Sequence, residues 1–158
     1  MFKVYLVIQI KRGLMSTTRN RYLQSLYLQL TNNSQPDLTN EILACFVAYA
    51  ISEKQTQTTL KQIIEFFPED QFEQTKFAKS VNRRLRTPVL PSLTSASILT
   101  CETSIILNSR PYRYEIVKGQ ERLVYILKCI WLDYCDNNRG IKQETLQRLY
   151  PFTGLSKN

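Results

Sequence analysis

The chain has 158 residues, 43% of them hydrophobic and 11% aromatic, enough for one domain with a sizeable core and too apolar for wholesale disorder. Lys and Arg number 21 against 13 Asp and Glu, a net charge of +8 that bears on partners and not on fold. With no His and only four Gly, the sequence lacks the usual proton shuttle and any Gly-rich phosphate cradle, so no enzymatic activity is expected.

Residues 1–15 read as an N-terminal extension. Their apolar run from Val4 to Ile8 is much too short to span a bilayer, and Lys11 and Arg12 stand where a cleavage site would have to follow. Two readings stay open: a strand added to the body, or a dispensable segment ahead of Met15. Residues 16–150 read as one helix-rich domain and 151–158 as a loose tail.

The first helix is expected over 17–30, where Tyr22, Leu23, Leu26, Tyr27 and Leu30 recur at helical spacing behind a Ser16 or Thr17 cap. After a polar turn, Thr39 caps a second helix over 39–53. Its Ile42, Leu43, Phe46, Val47, Tyr49, Ala50 and Ile51 leave little polar circumference, the mark of a central helix. Residues 54–59 are a loop or a short strand. Thr59 then caps a short third helix carrying Leu60, Ile63, Ile64 and Phe67, stopped by Pro68.

A fourth helix over 73–86, behind an Asp70 cap, sets Phe77, Val81 and Leu85 at steps of four. Pro88 and Pro91 forbid its continuation. The character then changes. Runs over 97–107 and 112–117 are β-branched and aromatic and flank Asn108-Ser109-Arg110-Pro111, which is turn chemistry, so a β-hairpin is expected. In its second run Tyr112, Tyr114 and Ile116 share one face while Arg113 and Glu115 share the other. Beyond Gly119 a long helix over 120–134 carries Leu123, Val124, Leu127, Ile130, Trp131 and Tyr134, and a short one over 142–150 carries Leu146 and Leu149. The fold class is mostly α with a small β-hairpin.

Cys45, Cys101, Cys129 and Cys135 are scattered, with no C-x-x-C pair and no His to complete a zinc site. No metal or other cofactor is expected, and reduced thiols point to a cytoplasmic or nucleoid-associated protein, nuclear in a eukaryote. Glu69, Asp70 and Glu73 are the nearest approach to a carboxylate cluster, and a helix start accounts for them.

Charge is concentrated in two places. The first 36 residues hold Lys3, Lys11, Arg12, Arg19 and Arg21 and no acid. The fourth helix holds Lys76, Lys79, Arg83, Arg84 and Arg86, again with no acid between them. If Phe77, Val81 and Leu85 face inward, then Lys76, Lys79, Arg83 and Arg86 face solvent. Solvated helix faces usually mix signs, so a run of one sign favours phosphate contact.

The order of elements over 38–117 resembles a winged-helix domain: a core helix (39–53), a short second helix (59–67), a basic third helix (73–86) and a two-stranded wing (97–117). The resemblance rests on element order and charge and covers about half of the 158 residues. It implies a third helix in the major groove and a wing tip on the backbone or minor groove. The helix would present Gln74, Thr75, Lys79, Asn82, Arg83 and Arg86, and the tip Asn108, Ser109 and Arg110 with Arg113 near. Arg can grip guanine, Asn can read adenine and Lys can anchor phosphate. Two features depart from the plan. The segment 87–97 is longer than a compact connection needs. The helix over 120–134 is so apolar that it must pack on the body, on the first helix or on a second subunit; an apolar helix beyond the wing is common in dimeric regulators of this type, which suggests a homodimer contact there.

The expected nucleic-acid-binding residues are therefore Lys76, Lys79, Asn82, Arg83, Arg84, Arg86, Arg110 and Arg113, with DNA favoured over RNA and no membrane partner. The expected role is transcriptional regulator, or accessory protein of replication or a mobile element. Two alternatives stand beside it: a helical backbone-binding subunit of a ribonucleoprotein (CRISPR-like) complex, and a protein–protein adaptor whose Arg83, Arg84 and Arg86 meet an acidic partner.

Overall fold

The computed structural model describes residues 18–32, 38–54, 57–69, 76–102, 112–136 and 140–155. The extension 1–15, the caps Ser16, Thr17 and Asp70, the side chains of Lys76, Phe77 and Lys79, and Gln74, Thr75, Asn108, Ser109 and Arg110 lie outside the described residues.

Helix α1 (18–32) buries Leu23, Leu26 and Leu30, the stripe its spacing predicts. Helix α2 (Asn40–Lys54) begins at Thr39, whose hydroxyl accepts from the Ile42 amide at 3.3 Å. Nine residues of α2 are buried, so it runs through the middle of the molecule with other elements on several sides. Strand β1 (Thr58–Thr59) follows, resolving the loop-or-strand choice at this point. Thr59 then caps helix α3 (Leu60–Glu65) with a reciprocal pair: its hydroxyl accepts from the Gln62 amide at 3.3 Å, and the Gln62 side chain accepts from the Thr59 amide at 3.0 Å.

Helix α4 (Lys76–Arg84) buries Val81 on its inner side. Regular α geometry stops there, as the two prolines require, and the long connection over 87–97 is taken up by two short elements. A wide turn, Leu85–Val89, holds Pro88 and an extended Thr87 (φ −153°, ψ 114°) and leads straight into helix α5 (Leu90–Ser95). Pro91 is compatible with α5 because it falls in the first turn, where a backbone N–H needs no helical partner. Leu85, Val89, Leu90 and Leu93 are all buried, so the segment is held by the core.

Strands β2 (Leu99–Glu102) and β3 (Arg113–Ile116) form the expected antiparallel pair, with Leu99 opposite Ile116 and Glu102 opposite Arg113. The other edge of β3 pairs with β1, Thr58 opposite Tyr114, giving a three-stranded sheet in the order β1-β3-β2. The third strand ties the hairpin to the α2–α3 connection. Helix α6 (Glu121–Asp136) lays its apolar face on α2, where the Phe46 and Trp131 ring centroids lie 5.1 Å apart and Phe67 closes on Phe46 at 5.4 Å. A Lys128–Glu53 ion pair at 2.9 Å marks the edge of this contact.

Helix α7 (Gln143–Leu149) starts without a capping side chain at Lys142. Asp133 of α6 supplies one from a distance: its Oδ2 accepts from the Lys142 amide at 3.2 Å and from the Thr145 hydroxyl at 2.6 Å. The tail expected over 151–158 is not loose over 151–155; the last three residues lie outside the described residues. Tyr150–Thr153 continues as a 3₁₀ turn whose Thr153 is buried and whose Thr153 carbonyl accepts from Gln24 of α1 at 3.0 Å. Aromatic residues make the difference: Tyr150 meets Tyr27 edge-on at 5.4 Å, and Phe152 packs on the core. The protein is thus mostly helical, with one small antiparallel sheet. Among the described residues no helix is long and apolar enough to cross a membrane.

Candidate nucleic-acid interface

The α4 segment divides as its sequence spacing requires. Val81 and Leu85 are buried, while Asn82, Arg83 and Arg86 are exposed on the opposite side. Among the described residues neither Arg83 nor Arg86 has a carboxylate partner. Lys76 and Lys79 lie on the same helix by backbone position.

Arg84 stands apart from them. It is half-buried, and its Nε donates to the Asn40 side chain at 2.9 Å, joining α4 to the first turn of α2. Burial pulls its guanidinium below the ordinary value; Glu41 opposes that drop and Arg83 adds to it. A residue held this way positions the helix and has little freedom to follow a ligand.

Arg113 is exposed on β3, with Glu102 opposite on β2 and Thr59 opposite on β1. Glu102 and Glu115 share the exposed side of the sheet, and Glu102 accepts from Gln57 at 2.6 Å. The sheet therefore presents both signs where α4 presents one. Arg110 lies outside the described residues; of the hairpin's two expected cations, Arg113 is the one whose place is described.

What brings α4 and the hairpin together is a groove that the spacing of residues did not announce. Its volume is about 1080 Å³, and it is lined by Asn82 and Arg86 from the α4 side, by Tyr114 of β3 and Tyr112 just before it, and by Lys61 and Glu65 of α3. Tyr114 forms part of its floor at 9% exposure, and burial pushes its phenol up to about 12, with Cys101 across the strand adding to the effect. Tyr112 and Tyr114 both line the groove, as residues sharing one face would, but Tyr112, one residue before β3 begins, is 58% exposed.

Among the described residues no three His, Cys, Asp or Glu side chains converge as a metal site requires. All four cysteines are free, Cys45 buried and Cys101 exposed. No protein-family model matches this chain, and no match is found among curated proteins or solved structures.

Proposed function

We propose that this is a non-enzymatic nucleic-acid-binding protein of winged-helix plan, contacting duplex DNA through α4 and the adjoining hairpin. One observation carries the reading. An amphipathic helix sinks Val81 and Leu85 into the core and leaves Arg83 and Arg86 outward, with no carboxylate partner among the described residues. Cations of like sign on one face repel by a few tenths of a kcal/mol per close pair, a cost that phosphates reverse.

The sheet supports the same reading. Because β1 pairs with β3, the hairpin is anchored to the segment that opens α3 and lies on the same groove as α4. Helix and hairpin therefore form one surface. Arg83, Arg86 and Asn82 would touch DNA, with Lys76 and Lys79 on the same helix; Arg84 would hold the helix in place, and Arg113 would sit at the hairpin margin. A protein of this kind would act as a transcriptional regulator or as a replication or mobile-element accessory. The stripe on α6 that suggested a dimer is buried against α2 within one chain, so the proposal does not call on self-association through that helix.

The test is a salt-titrated binding assay with duplex DNA, single-stranded DNA and RNA. Duplex DNA should bind most tightly, with log K falling steeply against log salt. The double variant Arg83→Glu with Arg86→Glu should weaken binding at least tenfold and flatten the salt slope by roughly two, one for each lost phosphate contact. Helical circular dichroism should be unchanged, since both side chains are exposed. Unaltered affinity in that variant would remove α4 as the site. Indifference to all three nucleic acids would leave the adaptor reading instead.

A further inference from the structure

The groove between α3, α4 and β3 has walls of unlike chemistry. On the α4 side stand Asn82 and Arg86, four positions apart and continuous with the exposed Arg83. On the α3 side stand Glu65 and Glu69, with Lys61 one turn earlier. The rim carries the exposed ring of Tyr112, and the interior is lined by Ile64, Phe67 and Tyr114. Its volume, about 1080 Å³, is at the upper end for clefts that take small organic molecules.

We propose that this groove takes an unpaired nucleotide of a bound strand, its base on the Tyr112 ring and its phosphate on Arg86. The inference rests on the nucleic-acid reading of α4 and extends it to one chemical group. Charge sets the orientation. A phosphate is drawn to the α4 wall and repelled by Glu65 and Glu69. The edges of adenine, cytosine and guanine bear amino groups, and a carboxylate accepts from such a donor, as it does from the exocyclic amine of cytosine. The phenol ring offers its face to any base, which is how single strands are held without sequence readout. A strand lying on Asn82 and Arg86 is already in the groove that Tyr112 borders.

Fluorescence anisotropy with the full chain compares a blunt duplex with the same duplex bearing a short single-stranded extension at either end. One extended form should bind roughly tenfold more tightly, the effect of a single stacked base. Tyr112→Ala should erase that advantage while leaving blunt-duplex affinity unchanged, and Tyr112→Phe should keep it, because the phenylalanine ring stacks as well. Equal and measurable affinity for blunt and extended duplexes overturns the groove proposal and leaves the duplex reading standing. Failure of both to bind overturns the two together. An advantage that survives Tyr112→Ala places the unpaired nucleotide elsewhere. A free nucleoside monophosphate that binds as tightly as the extension reassigns the groove to a soluble ligand and equally overturns the proposal.

Discussion

Ser97 holds the left-handed backbone conformation (φ 59°) that ends α5. Its amide donates to the Thr94 carbonyl at 3.0 Å and the next amide, of Ile98, to the Leu93 carbonyl at 3.1 Å, while Leu93 and Ile98 are both buried. This paired closure usually has glycine at the left-handed position, because a Cβ there crowds the backbone. Ser97→Gly should therefore raise stability by about 1 kcal/mol. Gly119, at φ 96°, obeys the same physics with the opposite sign. An added Cβ would meet nothing within 4 Å, so Gly119→Ala should lower stability by about 1 kcal/mol through backbone strain and not through a clash. Thermal unfolding of the two variants gives the signs directly, and two shifts in the same direction would refute the assignment. Gly119 is legible in the sequence as a turn residue; Ser97 is not, because serine has no preference for this conformation and only the helix before it imposes it.

Between elements, Asp133 is the connection of consequence. Helix α7 has seven residues, too few for independent stability, and a carboxylate from α6 accepts from the Lys142 amide that precedes it and from the Thr145 hydroxyl in its first turn. Asp133→Ala should cost about 1–2 kcal/mol, and Asp133→Asn less, since the amide oxygen still accepts. Chemical denaturation of both variants checks the order; equal losses would mean that charge, not acceptance, is what matters. No sequence rule identifies this cap, because the capping residue lies nine positions before Lys142. The inward face of α4, by contrast, follows from spacing alone, with Val81 and Leu85 buried and Arg83 and Arg86 outward. Arg84 is the residue that spacing left undefined, and its place was settled by Asn40 on another helix.

Across the whole molecule, burial of weak acids ties stability to pH. Burial pushes the Cys135 thiol from 9.0 up to about 11 and the Tyr114 phenol from 10.0 up to about 12, and raises Cys45 and Tyr22 in the same direction. Each folded value lies above its unfolded one, so the folded state keeps protons that the unfolded chain releases. The contribution is complete below about pH 9 and is lost as pH rises through the 9–12 window, beginning with the thiols. The urea midpoint should hold level from pH 7 to 8.5 and then fall steadily. A level midpoint through pH 10.5 would contradict the burial of these groups.

Local spacing determined a good deal here: the caps at Thr39 and Thr59, the central character of α2, the antiparallel hairpin and the cationic side of α4, since each depends on residues near one another along the chain. What only the tertiary structure decided involves residues far apart in the chain. β1 became a strand because β3 was there to pair with it; the apolar face of α6 found α2; and the turn at 150–153 was held by α1. The groove joining Arg86 to Tyr112 belongs to the same group, since its walls come from three elements that meet only when the core closes. Periodicity tells which side of an element is buried. It carries no information about which partner buries it.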